Sequence, residues 1–325
     1  MNILSLFDGI SCGYLALKRA KIPIDNYYAY EIDKYALKVS ETRFPQIQHF
    51  GDVRGADFSR HKNIDLLIGG SPCQDLSIAK QNRKGLSGKK SCLFWEYVRA
   101  LKEIKPKYFL FENVASMSKI DKNTITKSLG VEPILINSAL VSAQNRKRLY
   151  WTNIFGVTQP KDKGLKLEDI LENGIAFNKK SYCVTTNMGS AYLKNTLEKH
   201  TRTMAANFAK GCALTSKPKN ETLDKPLIVG NAGKKGQGYK IYSVRAKSIT
   251  ICSNSGGLGR HTGLYKIDLP DGDYFVRKLT PLECERLQTL PDNFTDVGIS
   301  NTQRYKCLGN AWTVDVIAHI FSFIK

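Results

Sequence analysis

The stretch "GGSPCQDLS" (69–77) sets Cys73 directly after a proline, at the close of an apolar run. Most buried cysteines are small hydrophobes inside strands and helices. Cys73 stands where a strand ends and a polar loop begins, which suits a reactive thiolate and nucleophilic chemistry. A second set of chemistry-bearing residues closes the earlier apolar runs. "FDGISCG" (7–13) follows the first, Glu31 the second and Asp52 the third. Gly9 and Gly13 leave the G-x-G-x-x-G fingerprint incomplete, so the close backbone approach needed by a pyrophosphate is missing. A carboxylate after the second strand suits a ribose diol, and one after the third an adenine amino group. Together they point to an adenosyl cofactor and away from a nicotinamide oxidoreductase.

The chain carries 49 Lys and Arg against 29 Asp and Glu, a net charge of +20. Residues 1–155 hold 24 against 14, residues 156–275 hold 19 against 10, and residues 276–325 hold 6 against 5. A positive field spread over two regions points to a polyanion, of which nucleic acid is the usual one. The eight cysteines include no C-x-x-C pair, and the five histidines offer no ligand spacing. Neither a disulfide framework nor a metal site is expected. No long apolar run is present, and "MNILSLFDGI" does not read as a secretion signal. A cytoplasmic chain with no membrane partner is the expectation.

These residues need a scaffold, and the first 155 residues read as one. "NILSLF" (2–7), "YYAYEI" (27–32), "QHFGDV" (48–53), "DLLIGG" (65–70), "YFLFENV" (108–114), "PILINSALV" (133–141) and "RLYWTNI" (148–154) predict strands. "YLALKRA", "DKYALKVSETRF" and "CLFWEYVRALKEI" between them have helical spacing. The alternation predicts an α/β fold with a largely parallel, doubly wound sheet and ligands at the strands' carboxyl ends. Residues 156–275 turn to Lys, Asn, Gly, Ser and Thr with short strand-like pieces, and read as a smaller, mostly irregular or β domain. Helical patterning returns in "TPLECERLQTL", with Thr280 as N-cap and Pro281 in the first turn, and in "WTVDVIAHIFSFI". Residues 276–325 are thus expected to pack back onto the first domain.

Taken in order, "LFDGISCGYLALK", "YEIDKYA", "GDV", "GGSPCQDLS", "FLFENV", "QNRKRLYW", "RKLTPLECERLQTLPDNFT" and "RYKCLGNAWTVDV" resemble the DNA (cytosine-5) methyltransferases. The opening and "SPCQDLS" motifs look like the eukaryotic de novo branch, and the lead-in to "VRKLTP" looks like bacterial and phage enzymes. The resemblance implies a Rossmann-like sheet dependent on S-adenosylmethionine in residues 1–155 and 276–325, with a target-recognition domain in 156–275. It also implies a monomer acting on intracellular double-stranded DNA. A cognate restriction endonuclease is one partner this allows.

By the same resemblance Cys73 is the nucleophile that attacks C6 of a flipped-out cytosine, activating C5 for the methyl group. Glu112 matches the carboxylate that meets N3 and the exocyclic amine. Arg146 and Arg148 match a basic pair near O2 and the adjoining phosphate, and Asn113 and Gln144 position these groups. Phe7, Asp8, Gly9, Glu31, Ile32, Asp52, Val53, Leu93, Asn310 and Ala311 match the cofactor site, which releases S-adenosylhomocysteine. At position 311 the family more often has Ser or Thr. Residues 74–92 resemble the loop that closes over DNA, with Gln74, Ser77, Lys80, Arg83 and Lys84 as contacts and Gly85 and Gly88 as hinges. Arg245, Lys247 and Arg260 are further DNA contacts by charge and loop context. An RNA cytosine methyltransferase and a catalytically silent DNA-binding relative are the alternatives.

Overall fold

The computed structural model describes residues 1–72, 76, 85–88, 91–176, 179–190, 202–208, 213–214, 228–231, 240–243, 264–269 and 272–325. The apolar runs of the first half form one seven-stranded sheet. Its strands are β1 (Asn2–Leu6), β2 (Asn26–Tyr30), β3 (Gln48–His49), β4 (Leu66–Gly69), β5 (Tyr108–Val114), β6 (Ile134–Asn137) and β7 (Lys147–Thr152). The order is β3-β2-β1-β4-β5-β7-β6. The pairs joining β1 to β5 are all parallel, whereas β7 runs antiparallel between β5 and β6.

Successive side chains of a strand leave opposite faces, so each buried strand serves two cores. Ile3, Leu66, Ile68 and Leu110 enter one cluster, while Leu4, Leu6, Leu67, Phe109 and Phe111 enter the other. Helices α1 (Cys12–Arg19), α2 (Lys34–Arg43), α6 (Asn301–Asn310) and α7 (Val314–Phe321) cover the first face. Helices α3 (Phe94–Ile104) and α4 (Lys119–Leu129) cover the second, against Phe111 and Trp151. The returning tail enters through α5 (Pro281–Leu287). Thr280 caps it and Glu283 closes a capping box, each side chain taking the other's backbone N–H. Val314, Val316, Ile317, Ile320 and Phe321 of α7 are completely buried, and Arg19 of α1 pairs with Asp315 at 2.6 Å. About 25 cal/mol per Å2 of apolar burial makes this apolar face the main reason the tail docks.

Several elements depart from the sequence reading. The third strand is only two residues long, because Phe50 turns onto Tyr28, Tyr30 and His61 and Gly51 follows at φ 76°. β6 stops at Asn137, whose side chain caps a 3-10 turn over Ser138–Leu140. Helices α4 and α6 were not expected, since both are largely polar.

A second seven-stranded sheet comprises β8 (Ile175–Ala176), β9 (Met204–Phe208), β10 (Ala213–Leu214), β11 (Ile228–Asn231), β12 (Lys240–Ser243), β13 (Leu264–Leu269) and β14 (Gly272–Lys278). Its order is β10-β11-β12-β13-β14-β9-β8. Among the described residues no helix is long and apolar enough to cross a membrane.

Candidate active site

The turn after β1 carries three left-handed residues, Phe7, Gly9 and Ser11, at φ 60°, 61° and 59°. Two are not glycine, and such backbone persists only where its surroundings over-determine it. Asp8 does so here. Its carboxylate accepts hydrogen bonds from Ser5 Oγ (2.6 Å), Tyr27 Oη (2.7 Å) and Ser11 Oγ. Burial raises the Asp8 pKa, and the three hydroxyls offset part of that. Asp8 thus faces inward and fixes the turn. Gly9 is open: a Cβ added there would meet nothing within 4 Å.

Glu31 stands opposite. Its Oε2 accepts the Gly9 N–H and its Oε1 the N–H groups of Ile32 and Asp33, all at 2.8 Å. Burial raises the Glu31 pKa, and these backbone donors oppose the rise. A carboxylate offers about four acceptor positions, so roughly one remains for a hydroxyl. Ile32 leaves 65% of its surface exposed beside it. Val53 is buried, and Phe7 and Leu93 are half-buried against the same core. Asp52 is exposed and holds Arg54 (2.6 Å to Nη2), which lowers its pKa. An open glycine turn, a carboxylate with spare acceptor capacity and an exposed aliphatic side chain fit an adenosyl group.

The second half of the site lies at the ends of β4 and β5. Glu112, third from the end of β5, has a side chain 10% exposed. Arg148 Nε sits 2.9 Å from its Oε1, and Trp312 Nε1 donates to Oε2 at 3.0 Å. Asn113 Nδ2 donates to the carbonyl and hydroxyl oxygens of Ser71, each at 3.3 Å. It therefore grips the strand end that leads to Cys73.

Arg146 is buried. Its Nη1 donates to the carbonyl of Val184 at 3.0 Å and approaches Cys183 Sγ at 3.2 Å. Its Nη2 donates to the carbonyls of Ala311 (2.9 Å) and Gly309 (3.4 Å). Burial pushes the Cys183 thiol up, but Arg146 and Arg148 outweigh it and the net shift is downward. Gln144 accepts the Val184 N–H and donates to Gln288 Oε1, while Gln288 donates to the carbonyl of Leu308 at 2.8 Å. These bonds fasten Leu308, Gly309 and Ala311 against Cys183 and Val184. A Cβ on Gly309 would fall 2.6 Å from Thr186 Cα, so glycine is required there. Ala311 is buried and Asn310 exposed.

Of the expected residues, the structure thus brings Glu112 and Arg148 together, and joins Arg146 to Ala311. Cys73, Gln74, Ser77, Lys80, Arg83, Lys84, Arg245, Lys247 and Arg260 lie outside the described residues. Gly85, expected to hinge, has φ 57° in a 3-10 turn, and the next N–H, that of Leu86, donates to Asp121 of α4 at 3.1 Å. Sequence reasoning missed Trp312 and Cys183. The signals were a tryptophan needing a partner for its N–H and a cysteine just before a Val-Thr-Thr run. Among the described residues no group of three His, Cys, Asp or Glu could hold a metal ion.

Residues 1–325 match the family of C-5 cytosine-specific DNA methylases. The orphan methyltransferase M.SPRI of Bacillus phage SPR is 30% identical, over 99% of this chain and 96% of its own. The type II methyltransferase M.HhaI of Haemophilus parahaemolyticus is 28% identical, over 98% and 93%. Among solved structures, the Entamoeba histolytica methyltransferase EhMeth superposes with a TM-score of 0.65 at 16% identity, over 100% of this chain and 99% of that one. The S. pombe Dnmt2 methyltransferase gives 0.57 at 15%, over 99% and 97%. These two likenesses bear on the fold.

Proposed function

The chain belongs to the C-5 cytosine-specific DNA methylase family, and from that membership we propose that it methylates cytosine flipped out of a double-stranded DNA site, through a covalent bond from Cys73 to C6. The single observation that carries the reading is Glu112. It is buried beside the strand end leading to Cys73, with a donor on each oxygen.

When bound, S-adenosylmethionine supplies an electrophilic methyl group. Glu31, Gly9, Ile32, Phe7, Val53 and Leu93 would hold its adenosyl part, with Asp8 keeping the turn in shape. Asp52 would meet the adenine amino group by sharing its carboxylate with Arg54. Asn310 and Ala311 would close the site from the tail.

Cytosine C5 is a poor nucleophile until the aromatic ring is broken. The Cys73 thiolate adds to C6, forming an S–C6 bond and moving electron density to C5. Glu112 meets N3 and the exocyclic amine, where a proton on its carboxyl passes to N3 as negative charge develops and returns when the S–C6 bond breaks. Arg148 orients that carboxylate and Arg146 the backbone around it. After transfer, the C5 proton leaves to a base and the S–C6 bond breaks, restoring the thiolate. A base in a stacked duplex cannot reach Cys73, so the cytosine must be extruded. Gln74, Ser77, Lys80, Arg83 and Lys84 would close on the phosphates, and Arg245, Lys247 and Arg260 would contact DNA from the proposed target-recognition domain at 156–275. Monomeric action, intracellular DNA and a cognate restriction endonuclease belong to the same proposal.

The test is bisulfite sequencing of DNA from a host without cytosine-5 methylation, expressing the chain or its Cys73→Ser variant. Protected cytosines in one short context, lost in the variant, are expected. No protection by the unaltered chain, folded and able to bind S-adenosylhomocysteine, would overturn the reading.

A further inference from the structure

Glu112 and Trp312 lie 200 residues apart, yet the indole N–H donates to Oε2 at 3.0 Å while Arg148 Nε occupies Oε1 at 2.9 Å. We propose that Trp312 is a positioning residue for Glu112, its N–H fixing the plane in which the carboxylate meets the cytosine edge. The proposal rests on the cytosine methyltransferase reading and deepens it.

The carboxyl group of a glutamate turns about a broad, roughly twofold torsion. A single donor on Oε1 leaves that rotation largely free. A second donor on the other oxygen removes it. The chemical type of the second donor also matters. Two cations would lock the group as a carboxylate, because charged donors bind it about twice as strongly as neutral ones. A neutral indole N–H orients the group and leaves it able to exchange a proton with a ring nitrogen.

The surroundings hold the ring in place. A Cβ added to Gly70 would lie 2.9 Å from Glu112 Oε2 and 3.1 Å from Trp312 Nε1, so the missing side chain at position 70 leaves room for this bond. A Cβ added to Gly13, in the first turn of α1, would lie 3.5 Å from Trp312 Cζ3. One ring thus spans from the first turn of α1 to the carboxylate. Its chain neighbours are fixed as well. The Ala311 carbonyl accepts from Arg146, and Thr313 is buried and bonded to Gln288 Oε1 at 3.0 Å.

Trp312→Phe keeps an aromatic surface against Gly13 and deletes the N–H. Methyl transfer to DNA and S-adenosylhomocysteine binding are to be measured on the full chain, with the unaltered protein in the same assay. We expect kcat to fall about tenfold, as loss of roughly one hydrogen bond predicts, with the S-adenosylhomocysteine Kd changed less than about twofold. Gly70→Ala, which pushes a methyl between the partners, should show the same split and guards against a folding defect in the first variant. Unchanged kcat in folded Trp312→Phe would overturn the proposal. So would a cofactor Kd weakened as much as kcat, because the ring would then be a wall of the cofactor site alone. An unaltered protein that transfers no methyl group to DNA would instead overturn the functional reading and this role with it.

Discussion

Arg146, just before β7, and Arg148, the second residue of that strand, stand two positions apart and serve different partners. Arg146 commits both terminal nitrogens to the carbonyls of Val184, Ala311 and Gly309, while Arg148 turns Nε onto Glu112. The "QNRKR" stretch therefore joins a structural cation to one that pairs with Glu112. Arg146→Ala would take the donor from the buried Val184 carbonyl and from that of Gly309, a lost partner costing about 1–3 kcal/mol, so its Tm should fall clearly. Arg148→Ala, which leaves the buried Glu112 carboxylate without its cation, should lose at least 100-fold in kcat. Thermal melts beside turnover decide this; an Arg146→Ala variant that melts normally but is inactive would move Arg146 to the substrate.

The same stretch shows what sequence can and cannot disclose. β5 covers residues 108–114 as expected, because a central parallel strand reads as a continuous apolar run. Helix α4 did not stand out: of its apolar residues only Ile125 and Leu129 are buried, and Ile120 is 79% exposed. The Ser118 cap and Gly130 at φ 71° were its only local marks. Glu112 stood out only through the family resemblance of its "ENV" motif, whereas Glu31 was legible because strand ends announce themselves through the periodicity around them. Trp312 was not, since its partner comes from β5, 200 residues away. The reversal of β7 between β5 and β6 is likewise a matter of tertiary pairing, to which local patterning is blind.

Glu31 accepts three backbone N–H groups at 2.8 Å, one of them from Gly9 on the opposite turn. Glu31→Gln replaces one acceptor oxygen by an NH2 group that must face an N–H. Losing one charged hydrogen bond costs about 1.5–3 kcal/mol. The Kd for S-adenosylhomocysteine, measured by calorimetry, should rise roughly 10- to 100-fold. A Kd unchanged within about twofold would place the adenosyl group elsewhere.

Cys183 gives a dependence on pH whose sign follows from its neighbours. Burial alone would raise its pKa, but Arg146 and Arg148 bring it below the ordinary 9.0. Between the lowered folded value and 9.0 the unfolded chain binds the proton more tightly, so stability from this group grows as pH rises. It is fully present above 9.0 and is lost as pH falls through the folded value. Serine does not titrate there. The Tm difference between the unaltered protein and Cys183→Ser should widen from neutral pH towards 9.0, and a constant difference would deny the thiolate its two cations.

Gly85 sits at φ 57°, where a Cβ would fall 2.6 Å from Asp121 Oδ1. That carboxylate serves both sides: it accepts the Leu86 N–H at 3.1 Å and the Ser118 hydroxyl at 2.7 Å in the first turn of α4. Gly85→Ala therefore adds left-handed strain of about 1–2 kcal/mol and displaces the anchor. Residues 85–88 close the stretch that carries Lys80, Arg83 and Lys84, so the damage should reach DNA and spare the cofactor. KM for DNA should rise several-fold with the S-adenosylhomocysteine Kd unchanged, as read from turnover at saturating cofactor and from calorimetry. A variant with normal KM and kcat would show that this end of the loop has no part in engaging DNA.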